Sequence, residues 1–385
     1  MQMKKQTKRQ TKKQTKNFLF IFAVFLSLVT SGYAQSARPV SRPTPPKDDD
    51  TEKVFTEEIK LNVLAFNDEG KFASDVKKED LVINENNILH QASSIRRIPA
   101  NVLIVMDTGG EMRQIKNINQ TRSTAKNIVS ALKPGDSVAV LQYHDRAEII
   151  AEWTNDKAAV LNILDKKTNF GRRSVFVSAL NLAIDFLQKN PLDNKHLVLI
   201  TDGTDSIATQ TEKAAAMRKL LSTDINVHIV SYTRMESTDI EPRTKSIIKT
   251  PPPSAMPPEI AATLPNGVRD LATAPKIGPT INLDREMLKK LRERKQDLAS
   301  SESALSALAE NTNGEFILPE TRDEMLEKSA LIARIIDSSY VVTYIPKRAL
   351  SEARTGEERN IEVSSKRDGL QVQARRKLIV NGENK

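Results

Sequence analysis

The chain lacks cysteine altogether, so it has no disulfides and no thiolate metal site, which for an exported protein suits a bacterial envelope better than an animal extracellular space. Only four histidines occur, and His144 and His228 lack acidic or cysteine partners at ligand spacing, so neither is assigned a catalytic role. Nucleophile elbows, phosphate-cradling glycine loops and metal-hydrolase histidine pairs are absent. Nor is there an apolar run long enough to cross a bilayer: Phe18 to Val29 is too short. Acidic residues are missing from Met1 to Lys16, where seven basic residues sit. That basic start, the apolar run and Ser31-Gly32-Tyr33-Ala34 read as a cleavable secretory signal over residues 1–34. No cysteine follows it, which excludes a lipoprotein anchor. Without the leader the formal charge of +9 falls to about +2, so the basic balance is an export feature and not a nucleic-acid footprint.

What is present is organised around Asn101 to Met112. Val102 to Met106 is a short apolar run ending on Asp107-Thr108-Gly109-Gly110, as in a strand buried on both faces. Ile115, Ile118, Ala125, Ile128, Val129 and Leu132 then recur at helical spacing until Pro134-Gly135. Strand, acidic turn and helix open an α/β sheet, in which ligands sit beyond the carboxyl ends of the strands. A second such run, Lys195 to Thr201, ends in Asp202-Gly203, with a helix available from Lys213 to Leu221. Between the two, Gly171-Arg172-Arg173-Ser174 precedes the apolar helix Val175 to Gln188. Asp107, Ser174 and Asp202 then converge on one rim, as hard oxygen ligands suited to a divalent cation. The plain alternative is that the two aspartates cap helices and brace loops, that Ser174 is a helix cap, and that Glu111 is a solvated acid at a helix start. Arg172 and Arg173 suit an acidic partner, or are simply solvated.

These motifs resemble the von Willebrand factor type A domain. That family binds a rim metal through an Asp-x-Ser-x-Ser loop, a threonine on a second loop and an aspartate in a Thr-Asp-Gly loop. Here Asp107 matches the first aspartate, Ser174 the threonine position, and Thr201-Asp202-Gly203 the third loop. Gly109 and Glu111 stand where the loop has its serines, so the site is a degenerate one. The resemblance implies one divalent cation, Mg²⁺, Mn²⁺ or Ca²⁺, held by Asp107, Glu111, Ser174 and Asp202, and a protein partner that supplies a carboxylate. The metal-free alternative docks the partner through Thr108, Arg172, Arg173, Thr204 and Asp205.

The remaining chain frames that domain. Residues 35–53, rich in proline, serine and charge, read as a disordered linker. Residues 54–99 alternate as strands and turns, and residues 339–380 do so again. The expected fold is therefore a doubly wound, mostly parallel α/β sheet over residues 100–338, flanked by a β-rich domain built from N- and C-terminal strands. Met235 to Leu283 shows no sustained periodicity and many prolines, and reads as an insertion. Asp284 to Asn311 reads as a helix, amphipathic in its second half through Leu298, Leu305 and Leu308. Lys78-Glu79-Asp80-Leu81 and Tyr340-Val341-Val342-Thr343-Tyr344-Ile345-Pro346 also resemble the flanking motifs of a family of exported bacterial type A proteins best known from acidobacteria.

Asp107-Thr108-Gly109 is similar to the loop of aspartic proteases, where two aspartates share a proton. Only one copy occurs and a helix follows it, so the expectation is a non-enzymatic, exported protein-binding or adhesion module, periplasmic, secreted or at the cell surface, with no nucleic-acid partner and no membrane span after signal cleavage.

Overall fold

The computed structural model describes residues 57–110, 118–248, 265, 280–281 and 284–380. The signal over 1–34, the linker over 35–53, Glu111, and most of the stretch from 249 to 283 lie outside the described residues.

Strands β1 (Ile59–Asn67), β2 (Leu81–Glu85), β3 (Ile88–Gln91) and β4 (Ser94–Arg96) lead into the α/β part of the chain. There β5 (Asn101–Asp107), β6 (Ser137–Tyr143), β7 (Ala147–Thr154), β8 (Lys195–Thr201), β9 (Asn226–Ser231) and β12 (Phe316–Ile317) form one sheet in the order β12-β9-β8-β5-β6-β7. All neighbours are parallel except the β6–β7 pair, whose short turn at His144 to Arg146 makes β7 the antiparallel edge. Every residue of β5 is buried, as an apolar strand covered on both faces must be. Helices α1 (Ile118–Ala131), α2 (Lys157–Lys167), α3 (Phe176–Lys189), α4 (Gln210–Leu221), α5 (Thr233–Ile240), α6 (Arg285–Asn311) and α7 (Arg322–Asp337) supply that cover. One core layer joins Val102, Ile104 and Met106 to α1 and α7, and the other joins Leu103 and Val105 to α3, α4 and the end of α6.

The strands at the two ends of the chain meet, because neither set can bury an apolar face alone. β1 lies between β13 (Ser339–Tyr344) and β15 (Leu370–Ala374), and β14 (Glu358–Ser365) pairs with β2 and β16 (Lys377–Ile379). The resulting antiparallel sheets, β15-β1-β13-β4 and β16-β14-β2-β3, share a core of Leu61, Val63, Ile83, Val342, Tyr344 and Ile361. Asn313 Nδ2 ties this part to the α/β part through Asn62 O at 3.0 Å, and buried Arg375 donates to Thr223 O and to Leu221 O at the end of α4.

Part of the stretch read as an insertion is helical. α5 and a 3₁₀ turn at Glu241–Thr244 occupy its start, and Ile247–Ile248 (β10) pairs with Thr280–Ile281 (β11). Periodicity misses α5 because its apolar anchors are few, Ile240 against Leu291 and Leu298 and the partly buried Met235, while its other buried residues are the polar Thr233 and Glu236.

Candidate functional site

The sheet register sets the site. Asp107 pairs with Tyr143 on one side of β5, and Met106 pairs with Ile200 on the other, so Asp107 and Asp202 leave adjacent parallel strands at the same end. Both are buried, Asp107 at 2% and Asp202 at 0% exposure. Ser174 joins them: its hydroxyl donates to Asp107 Oδ2 at 3.2 Å, so it does not cap α3. That helix start is instead held by Asp205, whose Oδ2 accepts the Val177 N–H at 2.8 Å while Oδ1 accepts those of Ile207 and Ala208. The structure thus brings Asp107, Ser174 and Asp202 together.

The aspartate oxygens are engaged by the protein itself. Asp107 Oδ1 accepts the Gly109 N–H at 3.0 Å. Asp202 Oδ1 accepts both the N–H and the hydroxyl of Thr204 at 2.8 Å. Asp202 Oδ2 receives Nη2 of Arg294 at 2.8 Å, and the same nitrogen lies 2.7 Å from Oε1 of Glu236. Arg294 also donates Nη1 to Thr204 Oγ1 and Nε to Glu236, both at 2.7 Å. Burial alone would disfavour the Arg294 charge, yet the Asp202 and Glu236 carboxylates outweigh it and push its pKa above the ordinary guanidinium value. Two phenols line the same centre. Tyr143 donates or accepts at 2.6 Å with Thr201 Oγ1, and burial, then the charges of Asp107 and Asp202, hold both Tyr143 and Tyr232 well above the usual tyrosine range. Lys213, buried beneath, has its pKa lowered by burial against the pull of Asp202, and donates to Ser301 Oγ at 3.0 Å.

Arg294, Glu236 and Lys213 carry no motif and were not foreseen, although the sequence holds a signal for the first. Leu291, Arg294, Leu298, Ser301, Leu305 and Leu308 recur at three- and four-residue spacing, so Arg294 falls on the buried stripe of α6. A lone arginine on an apolar stripe calls for a buried acid opposite it.

The described residues do not fit a divalent ion as arranged. Gly109 supplies no ligand, and the loop has closed on it: a Cβ there would come within 1.7 Å of Arg173 O. The oxygen of Asp202 that would face an ion faces a guanidinium. Among the described residues no group of three acid or histidine side chains is set to hold a metal. The residues expected to meet a partner divide. Thr108 is 2% exposed and donates to Tyr143 O at 3.2 Å, so it faces inward, and Thr204 and Asp205 brace the loops. Arg172 and Arg173 are exposed on a loop pinned by Asp145, which accepts their backbone N–H groups at 3.4 and 3.0 Å. Ile207, not anticipated, stands 63% exposed on the neighbouring rim loop.

Residues 102–204, the segment holding Asp107, Ser174 and Asp202, match the sequence family of the von Willebrand factor type A domain. The chain carries a type A domain. Solved structures similar to it include an aerotolerance-related membrane protein from Bacteroides fragilis, 16% identical, with 61% of this chain and 98% of that one covered and a TM-score of 0.35. Another is a von Willebrand factor type A protein from Catenulispora acidiphila, 11% identical, with 86% and 75% covered and a TM-score of 0.38. No curated protein matches the chain. The type A domain here places Asp107 at the end of a parallel strand in an α/β sheet, which is not the β-structure setting of an aspartic protease loop. No described helix is long and apolar enough to cross a membrane.

Proposed function

We propose that the chain is an exported protein-docking module that engages a partner through the rim of its type A domain without a bound metal. The observation that carries this is the state of the rim centre. Asp202 and Glu236 are already ion-paired with Arg294, while Arg172, Arg173 and Ile207 stand exposed on the rim loops. Two cations beside one apolar anchor suit an acidic partner surface with an apolar pocket, since arginines and buried apolar anchors dominate interface energies. Among the described residues the contact of Asp202 Oδ2 with Arg294 supports metal-free docking over the metal-bridged carboxylate that the family resemblance implies.

The test replaces Ile207 with a photo-crosslinking residue in the producing cell, and places the same residue at Leu192. Leu192 is also well exposed, at 55%, but lies in the connection before β8, at the opposite end of the sheet. Docking through the rim gives a discrete crosslinked partner from position 207 and none from 192. Charge reversal of Arg172 and Arg173 to Glu should reduce that yield. Equal crosslinking from both positions would sink the reading.

A further inference from the structure

The Arg294 guanidinium sits in a geometry that an ion could use. Its Nη2 nitrogen is 2.8 Å from Asp202 Oδ2 and 2.7 Å from Glu236 Oε1, two carboxylates that are themselves 0% and 1% exposed. The Thr204 hydroxyl lies 2.7 Å from the adjoining Nη1. A hard divalent cation at the Nη2 position would find two carboxylates, with a hydroxyl beside them, and would draw them in by a few tenths of an ångström for Ca²⁺ or about 0.7 Å for Mg²⁺ to reach oxygen-ligand distances. This cradle is not the Asp107–Ser174–Asp202 set, because it uses Glu236 of α5.

The arginine is not free to leave. α6 is fixed below it by Leu298, Leu305 and Leu308, all at 3% exposure or less, and Ser301 Oγ donates to Asp202 O at 2.7 Å. Gly203 receives the helix so closely that a Cβ there would lie 2.7 Å from Ser301 Oγ and from Leu305 Cδ1. A tethered cation held at contact distance occupies the place that any free ion would have to take.

We infer that Arg294 is the resident cation of a second, two-carboxylate site formed by Asp202 and Glu236, and that it shuts divalent ions out of the rim. The inference is independent of whether the rim docks a partner. Removing the guanidinium should convert the cradle into a site for a hard divalent ion.

The experiment titrates Mn²⁺ into the purified protein and reads free Mn²⁺ by electron paramagnetic resonance, for wild type, Arg294→Ala, Arg294→Gln and Arg294→Ala with Glu236→Gln. Expected are no saturable binding by wild type, one Mn²⁺ per chain in Arg294→Ala, and loss of that ion in the double variant. Arg294→Gln keeps the side-chain volume and a donor and serves if the alanine variant does not fold. It should take up Mn²⁺ more weakly than Arg294→Ala. Saturable Mn²⁺ binding by wild type would overturn the exclusion, and folded Arg294 variants that bind no Mn²⁺ would overturn the site.

Discussion

Acidification should unfold this protein through a pair of histidines far from the rim. His196 and His228 are fully buried and stacked, with ring centroids 5.3 Å apart. Their hydrogen bonds form a chain with one self-consistent tautomer. The Glu315 N–H donates to His228 Nδ1 at 3.2 Å, which leaves the His228 Nε2 proton for His196 Nδ1 at 3.0 Å and the His196 Nε2 proton for Asn194 Oδ1 at 2.8 Å. A proton added to either ring removes an acceptor, and burial opposes the charge. Burial lowers the His228 pKa from 6.5 to about 3, and burial, then the neighbouring ring, holds that of His196 well below the ordinary histidine value. Both folded values lie below the unfolded one, so the unfolded chain binds more protons and stability is lost as pH falls below the unfolded value. The loss per ring is about 1.4 kcal/mol per pH unit, continuing down to the folded pKa. His228 alone therefore costs about 2 kcal/mol by about pH 5, and His196 adds in the same direction. Burial raises the Glu315 pKa, which acts the other way on acidification. Denaturant unfolding from about pH 7.5 to about pH 5 should show the decline, and His196→Gln with His228→Gln should flatten it. An equal decline in the double variant would refute the assignment.

Three further outcomes follow from single contacts. Gly109→Ser, which restores a hydroxyl to the metal-loop position, should destabilise the protein by about 1–3 kcal/mol or more in thermal unfolding, because its Cβ has no room against Arg173 O. Asp205→Ala should cost about 1–3 kcal/mol and speed proteolysis between residues 203 and 208, since three backbone N–H groups lose their acceptor. Arg359→Ala should cost about 3–5 kcal/mol in denaturant unfolding: Arg359 is 1% exposed and pairs at 2.5 Å with the buried Glu85, which would be left uncompensated.

The centre of the sheet was legible because two of its strands are short apolar runs ending in Asp-Gly or Asp-Thr-Gly, and β5 and β8 fall where those runs do. Alternation at both chain ends was enough to expect the two sets of strands to meet, but not that β1 pairs with β13. The rim was legible as far as its aspartates. Their partners were not, because the contacts that settle the site are long-range and polar: Arg294 lies 92 residues from Asp202 and 58 from Glu236. A helix such as α5, with few apolar anchors and a buried glutamate, leaves no periodic trace. Thr108 illustrates the converse. A polar residue after a strand reads as surface, yet register carries it under the Tyr143 carbonyl.

The central claim is that the rim docks a protein without a metal, and the measurement that bears on it most directly is crosslinking from position 207 with excess EDTA and again with added Mg²⁺. The same partner at the same yield under both conditions is the predicted result. Loss of the crosslink on chelation, with recovery on adding Mg²⁺, would contradict the account and return the rim to a metal-bridged mechanism.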